Sequence, residues 1–150
     1  MKAYIGPYCD SGDDNDRKIS IEIHPYDSWN ADHTIGLIAL PILKQLKVTK
    51  SGSPITDDED VPDELKGVST FEEANENDSD LIHRKWAWIM DEIIFAFEHL
   101  VNKDWEEDYY IKDDTQEFEF RFNAEGYKLI ADRIQNGFRL FGKYYQDLWD

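Results

Sequence analysis

The stretch DSWNADHTIGLIALPILKQLKVTK at 27–50 constrains the fold most. It opens with a capping signal and a tryptophan, runs apolar on nearly every side and carries a proline in its middle. Three lysines close it. A surface helix would show one apolar stripe, and a membrane span would need about 20 apolar residues free of charge. The stretch does neither, so it predicts a central buried helix with its polar groups gathered at the two ends. Asp27 or Ser28 is the expected cap. Pro41 removes one backbone donor and crowds the carbonyl of Leu37, so a kink or local break is expected there. With Gly36 near it, the kink can shape a pocket or serve plain packing.

Two strand-like pieces precede this helix, at 2–5 and 18–24. In the second, Ile19, Ile21 and Ile23 alternate with Ser20 and Glu22. Residues 51–79 are weakly patterned, with Gly52, Pro54, Pro62 and the acidic run DDED at 57–60. They read as a long loop with a short helix near 63–66, and a loop of that length is usually functional or mobile. A second long helix is predicted over 80–103, with Ile89, Ile93, Ala96 or Phe97, and Leu100 on its buried face. EFEFRF at 117–122 alternates as a strand does. Asn123 can cap a last helix in which Tyr127, Ile130, Ile134, Phe138, Phe141, Tyr145 and Leu148 recur at helical spacing. The expectation is an α+β fold, three long helices packed with a small antiparallel sheet in a single domain, 1–150, with a long acidic loop at about 51–79.

A net charge of −17 argues against DNA or RNA and against an anionic membrane as partners. Five Trp, eight Tyr and eight Phe give the chain the means to build a core, which a disordered acidic chain lacks. The single cysteine, Cys9, excludes an internal disulfide and fits a reducing cytoplasm. The first residues carry no apolar run of signal-peptide length, and a cytoplasmic protein is expected.

Charge is unevenly spread, however. Arg121, Lys128, Arg133, Arg139 and Lys143 face only Glu125 and Asp132 in their stretch, and Lys44, Lys47 and Lys50 form a second basic group. Either group can hold a small anion locally, or simply pair with the many carboxylates. Arg139 offers a planar fork for phosphate, and Asn136, three residues earlier, can read a base edge. Gly137 and Gly142 flank that face and admit a flat ligand or a tightly packed helix. Trp29, Trp86 and Trp88 can stack on a nucleobase or anchor the core. Asp32 and Thr34 follow Trp29, where Asp32 can favour the helix N-terminus or accept from an amino group. Tyr8 is a further aromatic candidate. The ligand-binding set is therefore Tyr8, Trp29, Asp32, Thr34, Lys44, Trp86, Trp88, Asn136, Arg139 and Lys143.

No catalytic constellation or cofactor is expected. The four histidines have no zinc-type spacing, and no phosphate loop, dinucleotide fingerprint or nucleophile elbow is present. A magnesium-dependent nucleotide pyrophosphohydrolase would need paired glutamates on facing helices. The only E-x-x-E is Glu73–Glu76, in the acidic segment, with Asp91 and Glu92 near the tryptophans as the remaining carboxylates.

Three segments carry a family resemblance: HPYDSWNADHTIGLIALPILKQLKVTKSGSPITDDEDVP at 24–62, RKWAWIMDEIIFAFEHLVNKDW at 84–105 and RIQNGFRLFGKYYQDLWD at 133–150. They cover about half the chain and resemble a widespread group of small acidic proteins encoded by tailed bacteriophages. That group in turn looks like the phage sponge family, which sequesters the cyclic-nucleotide signals of bacterial immunity. The resemblance implies a non-enzymatic binder of a cyclic dinucleotide or a related cyclic ADP-ribose signal. It also implies a small symmetric homo-oligomer with its ligands near subunit contacts. The alternatives are the pyrophosphohydrolase and an acidic phage protein acting on a host factor.

Overall fold

The structure is a computed structural model that describes residues 1–6, 18–112 and 120–149. Tyr8, Cys9 and the first part of EFEFRF lie outside the described residues. The chain divides into two compact units, Met1–Ile35 and Gly36–Asp150.

In the first unit, β1 (Lys2–Ile5) pairs antiparallel with β2 (Ile19–Glu22). The register sets Ala3 opposite Ile21 and Ile5 opposite Ile19, so one face of the pair is apolar. A 3-10 turn, Pro25–Ser28, follows. Asp27 closes this turn rather than the long helix, its Oδ2 accepting from the His24 backbone N–H at 2.7 Å, while His24 Nδ1 accepts from the Tyr26 N–H. The N-terminal ammonium also lies 2.8 Å from Asp27 Oδ2 and holds that carboxyl below its ordinary value.

Helix α1 (Ala31–Thr49) accordingly starts three residues beyond Ser28, its first bond running from the Thr34 N–H to the Asn30 carbonyl. It remains helical through Pro41, contrary to the expected break. Pro41 is exposed and Leu37 half-exposed, so water can reach the carbonyl left without its donor. The helix is not central either. Only Gly36 and Leu43 are buried, and Leu37, Ile42 and Val48 stand exposed.

The centre of the second unit is α2 (Ser79–Val101), whose Trp86, Ile89, Met90, Ile93, Ala96 and Phe97 are all buried. It packs against α3 (Ala124–Lys143), which Asn123 caps by accepting from the Gly126 N–H at 3.0 Å. The line of closest approach on α3 runs through Ile134, Gly137, Leu140 and Tyr144. The aromatic positions chosen by periodicity flank that line: Phe138 and Phe141 pack beside it, and Tyr145 is exposed. Gly137 explains the rotation. A Cβ there would fall 2.6 Å from the Ala96 Cβ and against the Glu92 carbonyl.

The segment EFEFRF contributes β4 (Phe120–Phe122), which pairs with β3 (Tyr110–Lys112) and not with the N-terminal strands. The described residues thus hold two separate two-stranded antiparallel sheets. No helix among them is long and apolar enough to cross a membrane.

Candidate functional site

The long segment between α1 and α2 is built around buried polar groups. Thr56, Asp60, Val61 and Val68 are buried, and short 3-10 turns form at Asp58–Asp60 and Asp63–Leu65. Lys85 reaches out from the first turns of α2 with a fully buried side chain. Its ammonium donates to the Thr56 carbonyl (2.7 Å), the Val68 carbonyl (2.6 Å) and Asp58 Oδ1 (2.6 Å). The Lys85 hydrogen bond, more than any other contact, holds the Asp58 carboxyl below its usual value. Asp58 also accepts from the Gly67 N–H at 3.1 Å, where φ is +155°, a backbone value that favours glycine.

One turn of α3 completes the anchor. Tyr144 Oη donates to Asp60 Oδ2 at 2.6 Å and accepts the Asp57 N–H at 3.1 Å. Lys143 Nζ lies 2.6 Å from Asp60, 2.6 Å from Asp57 and 3.1 Å from Glu59. Arg139 Nη2 lies 2.6 Å from Asp60 Oδ1, in a charge contact off the hydrogen-bonding direction. Burial alone would raise the Asp60 carboxyl, but hydrogen bonds from Lys143 and Tyr144 and the Arg139 charge bring it below the ordinary carboxylate value. Burial opposes the charge on Lys143, yet its three carboxylates push it well above an ordinary lysine. Tyr144 is raised by burial and then by its bond to Asp60. The carboxylates of Asp57, Glu59 and Asp60 come within 4.8 Å of one another, close enough for a metal ion, but the Lys143 ammonium already sits among them.

The structure therefore brings Asn136, Arg139 and Lys143 together and turns them on the acidic run. Asn136 Oδ1 accepts from Arg139 Nε at 3.0 Å. A phosphate at this place would have to displace Asp60. Trp86 is 1% exposed and meets Tyr144 edge-on, with ring centres 5.9 Å apart, so its faces belong to the core. Trp88 is half-buried against the same core. In the first unit, Trp29 is 84% exposed beside Tyr26, Asp32 is exposed in the first turn of α1, and Thr34 Oγ1 donates to the Asp27 carbonyl. Of the carboxylates weighed for metal chemistry, Asp91 pairs with Lys47, the buried Glu92 receives a forked contact from Arg133 at 2.6–3.1 Å, and Glu73 accepts from the Ser69 backbone N–H at 3.0 Å. Every Lys and Arg on α1, α2 and α3 faces a carboxylate.

Lys44 stands elsewhere, 2.7 Å from Glu98. Glu98 lines a cavity of about 420 Å³ with Leu40, His99, Val101, Asn102 and Trp105. A 3-10 turn, Lys103–Tyr109, folds back after α2 and delivers Trp105, which stacks on Tyr127 at 5.3 Å and meets the His99 ring at 5.7 Å. His99 Nδ1 is 2.8 Å from the Phe95 carbonyl. A carbonyl only accepts, so Nδ1 carries the proton and Nε2 is left as an acceptor when the ring is neutral. Asn102 spends its Oδ1 on the Asp104 N–H, which leaves its amide N–H groups for other partners. The sequence reading passed over His99, Asn102 and Trp105. The adjacent Glu98–His99 spacing is common by chance, and nothing in the local pattern shows the chain reversing after α2.

No family model, no curated protein and no solved structure matches this chain.

Proposed function

We propose that this protein binds a nucleobase-bearing ligand in the cavity beside α1 and α2, and sequesters a cyclic nucleotide there without cleaving it. The observation that supports this most is that Trp105, His99, Asn102 and Glu98 line one cavity, with the Lys44 ammonium 2.7 Å from Glu98. A nucleobase presents a π-face and an edge of alternating donors and acceptors, which that lining complements. Glu98 would accept from ring and amino N–H groups, and Lys44, released from Glu98, would meet a phosphate. A cavity of about 420 Å³ is at the modest end of ligand sites, so it holds one base and its sugar while the rest of a cyclic dinucleotide lies outside. The phage resemblance of the sequence supplies the cyclic ligand and the sequestering role.

The reading is tested by calorimetric titration with cyclic dinucleotides, cyclic ADP-ribose and mononucleotides, followed by heat release and mass spectrometry of what comes off. Intact ligand is expected. Trp105→Ala should weaken binding by roughly ten- to a hundredfold, the usual worth of one stacked base. Recovery of linear or monomeric products rules out sequestration, and unchanged affinity in Trp105→Ala takes the ligand out of this cavity.

A second reading is favoured by the charge distribution. Positions 51–150 hold 26 acidic and ten basic residues, and the helical cations are all internally paired. The outward field is negative and suits a basic protein partner. Absence of binding by every nucleotide, together with salt-sensitive binding to a basic polypeptide, would favour this reading over the first.

A further inference from the structure

Among its described residues, the first unit has no apolar core of its own. Gly6 is its one buried residue among those described, while Ile19, Ile21 and Ile23 are each about 60% exposed. A lone two-stranded hairpin is marginal in water, and three or more strands are needed for independent stability. β2 pairs with β1 on one side, and no other described strand covers its second edge.

That edge has a readable pattern. The Gly6 N–H donates to the Lys18 carbonyl at 2.8 Å, so Lys18 directs its backbone groups toward β1. By strand alternation Ser20 and Glu22 do the same, and Ile19 and Ile21 direct theirs outward. The sequence along this edge is Lys18-Ile19-Ser20-Ile21-Glu22, which is self-complementary when reversed.

We propose that β2 pairs antiparallel with β2 of a second copy of this chain, about a two-fold axis at Ser20, to form a four-stranded sheet. In this register Ile19 and the partner's Ile21 exchange both backbone hydrogen bonds through their outward groups. Lys18 falls opposite the partner's Glu22, and Glu22 opposite the partner's Lys18. The isoleucines of the two copies share one face, which doubles its apolar width. Shifting the two-fold to Ile21 would instead set Lys18 opposite His24 and lose both charge pairs. The pairing is isologous, as a closed dimer requires. The argument uses none of the residues of the proposed ligand cavity.

Complementary charge variants test it. Sedimentation velocity should show the unaltered protein as a dimer. Lys18→Glu alone sets glutamate against glutamate twice, and Glu22→Lys alone sets lysine against lysine twice. Each should weaken self-association about tenfold, with the far-ultraviolet circular dichroism unchanged. Mixing the two variants restores opposite charges at both positions and should regenerate a one-to-one dimer. A monomeric unaltered protein, a dimer indifferent to either substitution, or a mixture that fails to reassociate would overturn the pairing.

Discussion

Lys85→Met is the most demanding test of how the acidic segment is held. Methionine keeps the length and apolar stem of lysine but removes the ammonium that joins the Thr56 carbonyl, the Val68 carbonyl and Asp58. Both carbonyl bonds are buried, and a buried acceptor stripped of its donor costs about 1–3 kcal/mol. Taking the lower half of that range gives roughly 2–4 kcal/mol for the pair. The Asp58 side chain is 35% exposed, so solvent screens its share, which adds less than about 1 kcal/mol. Release of the ammonium from a desolvated site offsets part of the loss. About 3 kcal/mol remains, a large fraction of the 5–15 kcal/mol typical of a domain. Urea unfolding measures the total, and amide hydrogen exchange locates it. The amides of Asp58 and Gly67, which depend on this arrangement, should lose protection well before those of Ile89 and Ile93. A loss below about 1 kcal/mol with the Gly67 amide still protected would refute the assignment of Lys85 as the anchor.

Further outcomes follow from the same contacts. Gly137→Ala places a methyl against the Glu92 carbonyl and the Ala96 Cβ, and should destabilise by about 1–3 kcal/mol in thermal unfolding. Gly142→Ala, on the same helix with open space around it, should instead stabilise by roughly 0.5–1 kcal/mol. Thr56 Oγ1 is buried without a hydrogen-bond partner among the described residues, so Thr56→Val should raise stability by about 1 kcal/mol. Asp58 and Asp60 titrate below the ordinary 3.8 in the folded state, so their contribution is present above about pH 4 and is lost as pH falls below it. Lys143 and Tyr144 are shifted upward, and theirs is full below about pH 10 and lost at higher pH. A pH series of urea midpoints should show both limbs, with Asp60→Asn flattening the acid one.

The sequence by itself determined the pieces whose signal is local. The 3.6-residue spacing of Ile89, Ile93 and Phe97 marks the buried face of α2, the alternation at Ile19–Glu22 marks a strand, and Asn123 caps α3 as its chemistry suggests. Which helix lies at the centre depended on tertiary structure. Apolar density suggested α1, but burial depends on which surfaces meet, and the small residues Gly137 and Ala96 let α3 close on α2. The acidic run at 57–60 read only as part of a long loop because its partners, Lys85, Arg139, Lys143 and Tyr144, are distant along the chain. A pattern window sees charge but cannot see what faces it. For the same reason the basic face of α3 was legible only as either a small-anion site or a set of carboxylate partners, and in the fold its charges meet Asp57, Glu59 and Asp60. Composition and spacing decide what each segment can become; long-range packing decides which charges remain available for a ligand, because a cation already held by a buried carboxylate has little left to offer one.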